Sequence, residues 1–244
     1  MMINHTIELM HSLRLGGMAR ALEHQLSFAK SDDQSFAERI SFLVESERTS
    51  RESKKIARLL QAAKLKHNAI LEDAIYTSRP GMEKAVIASL AQCDWIKQHH
   101  NLTITGPTGC GKTWLACAFA QQACRNLMSA YYVWVPTLLK DLEIGHADGS
   151  FRKKLNQLSK VELLVLDDFG IKQLSAAASH DLLEVIDARA DTKSTLITSQ
   201  YPINKWHSLI GDETIADAIL DRVVHNAHRI TLSGASMRKT KKAI

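Results

Sequence analysis

The 244-residue sequence predicts an α/β fold, a mostly parallel sheet covered by helices, behind a small all-helical segment. Three observations predict it. From Leu102 onward, short apolar runs alternate with segments of helical period, the pattern of strands joined by crossover helices. Val161 to Leu166 is a continuous apolar run, the mark of a strand buried on both faces. Residues 1 to 66 contain no proline and no strand-like alternation, and Ile7, Met10, Leu13, Ile40, Leu43 and Val44 recur at helical spacing.

Taken in order, Gly16-Gly17 interrupts the first helix. Ser31-Asp32-Asp33 marks a turn, and Ser35 with Glu38 three residues on forms a capping box for the next helix. Residues 1–66 are therefore expected to form a helical N-terminal domain. Residues 67–81, with Thr77, Ser78, Pro80 and Gly81, form the joint, and residues 82–244 the sheet-bearing domain. In that domain the spacing predicts strands at 102–105, 130–135, 161–166, 194–198 and 229–232. It predicts helices at 112–127, 137–144, 150–159, 175–190 and 213–226.

Composition narrows the setting. With 45% hydrophobic residues, the chain can bury one sizeable core and a smaller second one. A net charge of +5 permits an anionic partner without requiring one. The four cysteines, Cys93, Cys110, Cys117 and Cys124, show no CxxC or Cys/His spacing; Cys117 and Cys124, at heptad spacing on a predicted helix, read as buried packing, and with no disulfide framework a reducing cytoplasm fits best. Residues 1–15 are broken by His5, Glu8, His11 and Arg14, which excludes a signal peptide, and no apolar run reaches membrane-spanning length.

Gly106-Pro107-Thr108-Gly109-Cys110-Gly111-Lys112-Thr113 matches G-x-x-x-x-G-K-[ST] in full, between a predicted strand and a predicted helix. Glycines let successive N–H groups curl around phosphate oxygens, and the helix start presents its positive end to the same anion. Lys112 can place an ammonium on the β- and γ-phosphates, and the Thr113 hydroxyl can coordinate Mg²⁺. Trp114 follows on the helix and is counted with the nucleotide-binding residues. The motif predicts a P-loop NTPase that binds ATP and Mg²⁺.

About 50 residues further on, Leu163-Leu164-Val165-Leu166 is followed by Asp167-Asp168. Ligands of open α/β sheets sit at the carboxyl ends of strands. There Asp167 is placed to hold the metal and Asp168 to polarise the attacking water. Ser199 and Gln200 end the next strand, where a polar group can hold that water or sense the γ-phosphate. Arg222 shares a helix with Asp217 and Asp221; it either pairs with nearby acids or reaches a neighbouring subunit's nucleotide as an arginine finger.

Arg48, Arg51, Lys55 and Arg58 fall on one helix face, with Lys54, Lys64 and Lys66 adding to it and Glu52 the one acid from 48 to 66. Ile56, Leu59, Leu60 and Ala63 form the opposite, packed side. Such a stripe suits the phosphate backbone of duplex DNA, bound with little sequence preference; the alternative is an ordinary solvated face. A second basic cluster comprises Arg238, Lys239, Lys241 and Lys242. No sequence-reading module stands out.

These residues resemble the IstB-type helper ATPases of bacterial insertion sequences, AAA+ proteins close to DnaC helicase loaders and DnaA initiators. The resemblance runs over nearly the whole chain: Leu13-Arg14-Leu15-Gly16-Gly17-Met18-Ala19, Ala62-Ala63-Lys64-Leu65, Leu71-Glu72-Asp73, the P-loop and Leu166-Asp167-Asp168-Phe169-Gly170. It continues through Thr198-Ser199-Gln200-Tyr201-Pro202, Lys205-Trp206-His207, Ile210-Gly211-Asp212, Asp217 to Arg222, Val224 to Ile230 and Ser236 to Lys239. It implies an AAA+ ATPase that binds duplex DNA without marked sequence preference, assembles with itself at nucleotide-bearing interfaces, and directs a cognate transposase to target DNA. Mg²⁺-dependent hydrolysis is implied to be slow and stimulated by DNA or a partner. By position, Asp167 becomes the metal-side acid and Asp168, where relatives often carry Glu, the hydrolytic one. Ser199 or Gln200 becomes the first sensor, Arg222 the arginine finger and Arg238 a second sensor. The competing reading is a DnaC-like replicative helicase loader, whose N-terminal domain would grip a protein instead of DNA.

Overall fold

Ser35 and Glu38 start a long helix together. The Glu38 N–H donates to the Ser35 hydroxyl at 3.4 Å, and the Ser35 N–H donates to the Glu38 carboxylate at 2.8 Å. This reciprocal box opens α3 (Phe36–Ala63) in the computed structural model, which describes residues 2–27, 34–74 and 83–234. The predicted turn at Ser31-Asp32-Asp33, the joint residues Thr77, Ser78, Pro80 and Gly81, and the basic cluster of Arg238, Lys239, Lys241 and Lys242 lie outside the described residues.

Packing divides the chain into Met1–Arg58 and Leu59–Ile244. In the first unit, α1 (Met2–Ser12) ends where Arg14 takes a left-handed φ of 61° and the Leu15 N–H donates back to the Met10 carbonyl at 2.8 Å. The Gly16-Gly17 pair opens α2 (Gly16–Ser27). Gly17 sits against α3 so closely that a Cβ would stand 2.7 Å from the Ser46 carbonyl oxygen. From α3, the buried Glu47 carboxylate accepts the N–H groups of Gly17 (2.6 Å) and Met18 (3.1 Å), satisfying two orphan donors of α2.

The end of the expected helical domain of 1–66 packs with the sheet unit. Leu59, Leu60, Ala63 and Leu65 pack with Ala69 and Leu71 into the core of the sheet unit. Burial of these side chains, not the proline- and glycine-bearing stretch, sets the division, which falls inside α3.

The second unit is a five-stranded parallel sheet: β1 (Asn101–Thr105), β2 (Ala130–Trp134), β3 (Leu163–Phe169), β4 (Ser194–Ser199) and β5 (Ala227–Thr231). Their order across the sheet is β2-β3-β4-β1-β5. Helices cover both faces. On one lie α4 (Lys84–Ala91), α5 (Asp94–Lys97) and α6 (Lys112–Arg125); on the other lie α7 (Val135–Asp148), α8 (Phe151–Lys160), α9 (Ala176–Asp187), α10 (Trp206–Ile210) and α11 (Glu213–Val224). The short helices α4, α5 and α10 carry too few residues to show a period, and the sequence did not reveal them. The apolar run of β3 serves both faces: Leu163 and Val165 join the α6 core, Leu164 and Leu166 the α7–α11 core.

Beneath the amino ends of the strands, Arg189 is 1% exposed and donates to the carbonyls of Leu158, Val161 and Ser194 and to the Thr195 hydroxyl. Burial lowers its pKa to about 9, so the guanidinium stays charged at neutral pH. It ties the start of β4 to the chain entering β3 through charge-assisted bonds, each contributing about 1.5–3 kcal/mol.

At the other end of the sheet, the β3–β4 register shifts. Leu166 faces Ile197 and Phe169 faces Ser199, so Asp167 and Asp168 share one opposite position. This is a β-bulge, and Asp168 adopts a left-handed φ of 61° within it.

Candidate functional site

The loop after β1 is held curled by its own surroundings. Gly106, at φ 148°, passes so close to the segment after β5 that a Cβ would stand 2.2 Å from the Leu232 carbonyl oxygen, so no other residue fits. The Gly106 N–H donates to the Ser199 carbonyl at 3.2 Å, which ties the loop to the end of β4. Lys112, 5% exposed, donates from Nζ to the carbonyls of Gly106 (2.8 Å) and Pro107 (2.9 Å). An ammonium has three protons, so one donor remains for an anion at the start of α6, where unpaired N–H groups and the helix dipole also point. Cys110 is buried beneath the loop, and Trp114 packs against the α6-side core. The Thr108 hydroxyl donates to Gln200 Oε1 at 2.7 Å. The structure thus brings Gly106–Thr113 together with Gln200.

Asp167 is the centre of the site. It is 0% exposed, and hydroxyls from three elements converge on it: Thr113 of α6 at 2.9 Å and Thr198 of β4 at 2.7 Å on Oδ1, and Tyr132 of β2 at 2.7 Å on Oδ2. Burial and the adjacent carboxylate push the Tyr132 phenol far above its ordinary pKa, so it stays a donor. Thr198 also accepts the Asp168 N–H at 2.9 Å, so a single hydroxyl fixes both acids. Asp168 is half-buried, turned out of the strand by the bulge, and accepts a 3.3 Å bond from Trp134 Nε1.

The other expected residues separate. Ser199 is fully buried and turned away: its hydroxyl donates to the Phe169 carbonyl at 2.8 Å and accepts the Tyr201 N–H at 3.1 Å. Of the two sensor candidates, Gln200 alone meets the loop with its side chain, Ser199 meeting it through its carbonyl. Arg222 donates to Asp187 of α9 at 2.8 Å and to the Ala218 carbonyl at 2.9 Å, so its in-chain acid is neither Asp217 nor Asp221. Arg238 lies outside the described residues.

The basic face also changes. Arg48 pairs with Glu45 and, at 3.5 Å, with Glu52. Arg51 pairs with Glu47 at 2.7 Å. Helix α3 stops at Ala63, so Lys64 and Lys66 leave the stripe; Lys64 lies over the Tyr131 ring and Lys66 reaches Asp167. Lys54, Lys55 and Arg58 stay exposed and form no ion pair among the described residues.

The donor set fits a hard divalent ion. A carboxylate and a hydroxyl 2.9 Å apart, beside a phosphate-shaped loop, offer oxygen alone. Among the described residues, no cluster of three His, Cys, Asp or Glu could hold a metal unaided, as expected for Mg²⁺, which takes further ligands from phosphates and water. Thr113 and Asp167 would hold it; when bound, the ion supplies positive charge to the phosphate oxygens.

The profile described as IstB-like ATP binding protein matches residues 8–244. The chain belongs to this family. The IstB-like chain is 44% identical over 242 residues to y4pL of Sinorhizobium fredii, whose name ties it to an insertion sequence and to ATP binding, covering 99% of both chains. It is 51% identical over 203 residues to an insertion sequence IS1162 protein of Pseudomonas fluorescens, covering 83% of this chain and 88% of that one. Among solved structures, the DnaC helicase loader aligns with a TM-score of 0.58 at 24% identity over 70% of this chain and 99% of that one. DnaA bound to AMPPCP and single-stranded DNA aligns at 0.54 with 17% identity, over 68% of this chain and 51% of that one. These likenesses establish the AAA+ fold of this ATP-binding protein. Among the described residues no helix is long and apolar enough to cross a membrane.

Tyr132 and Lys66 were missed as site residues. Thr198 stands next to the two polar residues singled out, and its place in the bulge register is what separates it from them. Thr198→Val, which keeps the shape and removes the hydroxyl, is expected to weaken Mg²⁺-dependent nucleotide binding about tenfold, the worth of one to two hydrogen bonds. Thr198→Ser should restore it. Titration of a fluorescent ATP analogue with and without Mg²⁺ measures this; wild-type affinity in the valine variant would remove Thr198 from the site.

Proposed function

We propose that this IstB-like protein is a Mg²⁺-dependent ATPase that uses bound nucleotide to control its own assembly on duplex DNA, in the service of a transposase at its target. The observation that carries the reading is the joint placement of Thr113, Asp167 and Asp168. A metal-side hydroxyl and carboxylate lie 2.9 Å apart, and the neighbouring acid is turned out by the bulge toward the loop end of the sheet. In this reading Lys112 and the loop N–H groups hold the phosphates, Asp168 orients and deprotonates the attacking water, and Gln200 senses the γ-phosphate from its bond to Thr108.

Arg222 acts in trans. Its 2.8 Å pair with Asp187 is half-exposed, a contact of about 0–1 kcal/mol that a stronger partner on a second copy can replace. Insertion-sequence relatives and the basic face of α3 support duplex DNA and a transposase as partners. A helicase loader would need that surface for a protein, and three exposed cations without acids suit phosphates better. The cytoplasm, where chromosomal DNA and ATP meet, is the setting this role requires.

Arg51→Glu is a poor test of DNA binding, because it would set two acids together at the contact that caps α2. Lys54→Glu with Lys55→Glu changes exposed residues alone. It is expected to lower duplex affinity at least about tenfold and leave ATP affinity unchanged; fluorescence anisotropy with labelled duplex reads the first and with a labelled ATP analogue the second, and undiminished DNA binding would take α3 out of the mechanism.

For the finger, Arg222→Ala and Asp168→Asn should each lose turnover while keeping ATP affinity. Mixing the two variants should recover part of the rate, since some interfaces then pair an intact acid with an intact arginine. Wild-type turnover by Arg222→Ala alone would exclude the finger.

A further inference from the structure

The segment after α3 brings a cation to the metal site. Lys64, at φ 51°, turns the chain out of the helix. The following residues are anchored along α6: the backbone N–H groups of Lys66 and His67 donate to the Cys117 thiol, and Ala69 and Leu71 are buried in the same cluster as Leu115 and Ala116. Glu72 pairs with Arg125 at 2.7 Å. This anchoring sets where Lys66 can reach, and its Nζ stands 3.9 Å from Asp167 Oδ2.

The pairing is chemically distinctive. Asp167 has no solvent exposure, and its other side-chain partners, Thr113, Tyr132 and Thr198, are neutral hydroxyls. Lys66 is the one cation paired with it among the described residues. A buried carboxylate needs compensation, and Lys66 supplies it from a flexible stem that is 46% exposed.

We propose that Lys66 is the counter-ion of the metal-binding carboxylate and competes with Mg²⁺ for it, so that this residue sets the metal concentration at which the site loads. The proposal rests on the nucleotide-and-metal reading above. A divalent ion held by Thr113 and Asp167 would share the carboxylate with the ammonium, and the two like charges would repel, screened in part by the solvent around the lysine. Lys66 yields by swinging into solvent, which its exposed stem allows.

The sign of the effect is the test, because removing a cation from a nucleotide site ordinarily weakens binding. Full-length protein and its Lys66→Gln and Lys66→Arg variants are titrated with Mg²⁺ in the presence of a fluorescent, non-hydrolysable ATP analogue. Lys66→Gln should lower the half-saturating Mg²⁺ concentration about fivefold, the effect of one partly screened charge, and leave analogue affinity in EDTA unchanged. Lys66→Arg should stay near wild type. An unchanged or raised Mg²⁺ requirement in Lys66→Gln overturns the proposal, a raised one making Lys66 a phosphate ligand instead. Analogue binding by the wild type that ignores Mg²⁺ overturns the proposal together with the metal reading beneath it.

Discussion

A carboxylate with no exposed surface constrains everything around it. Burying the charge of Asp167 costs several kcal/mol unless it is met by donors. The donors come from places far apart in sequence: Thr113 at the head of α6, Tyr132 on β2, Thr198 on β4 and Lys66 beyond α3. The strand order explains how they meet. β3 lies between β2 and β4, so the two flanking strands each lend a hydroxyl, and the loop that follows β1 supplies the third through α6. The sheet topology and the hydroxyl cluster around Asp167 are one solution to one electrostatic demand.

The bulge solves a second problem. Adjacent residues of a flat strand point to opposite faces, which would send Asp168 into a helix-covered core. One extra residue and a left-handed φ turn it out at the strand end, at a cost of about 1–3 kcal/mol. Thr198 binds both the Asp167 carboxylate and the Asp168 N–H, so the strained geometry is secured by the same hydroxyl that orients the metal-side acid. Gly106 shows the same economy of space, since the segment after β5 leaves no room for a side chain there.

Legibility in the sequence followed locality. The loop of 106–113 and the Asp167-Asp168 pair could be read because phosphate and metal chemistry dictate residue types at fixed spacing. The two-faced strand showed in its unbroken apolar run, and the capping box at Ser35 and Glu38 in its three-residue interval. Contacts that depend on register or topology left no local trace. Tyr132 reads as one more strand residue, Arg189 as a surface arginine and Lys66 as part of a basic run. The pairing on the basic face was hidden for the converse reason. Glu45 and Glu47 lie just before the stretch that looked nearly free of acids, and they take up Arg48 and Arg51. Cys117 and Cys124 matched expectation and are buried; Cys93 and Cys110 are buried as well, and burial raises Cys93 and Cys124 to about 11, away from thiolate chemistry.

The central claim is that Asp167 links nucleotide to metal. Calorimetric titration of ATP into wild-type protein and Asp167→Asn, each with Mg²⁺ and with EDTA, addresses it most directly. The variant keeps the shape and much of the hydrogen bonding while removing the charge. The account predicts that Mg²⁺ tightens ATP binding by wild type and no longer does so in the variant, with affinities in EDTA nearly equal. Equal Mg²⁺ enhancement in both proteins would contradict it.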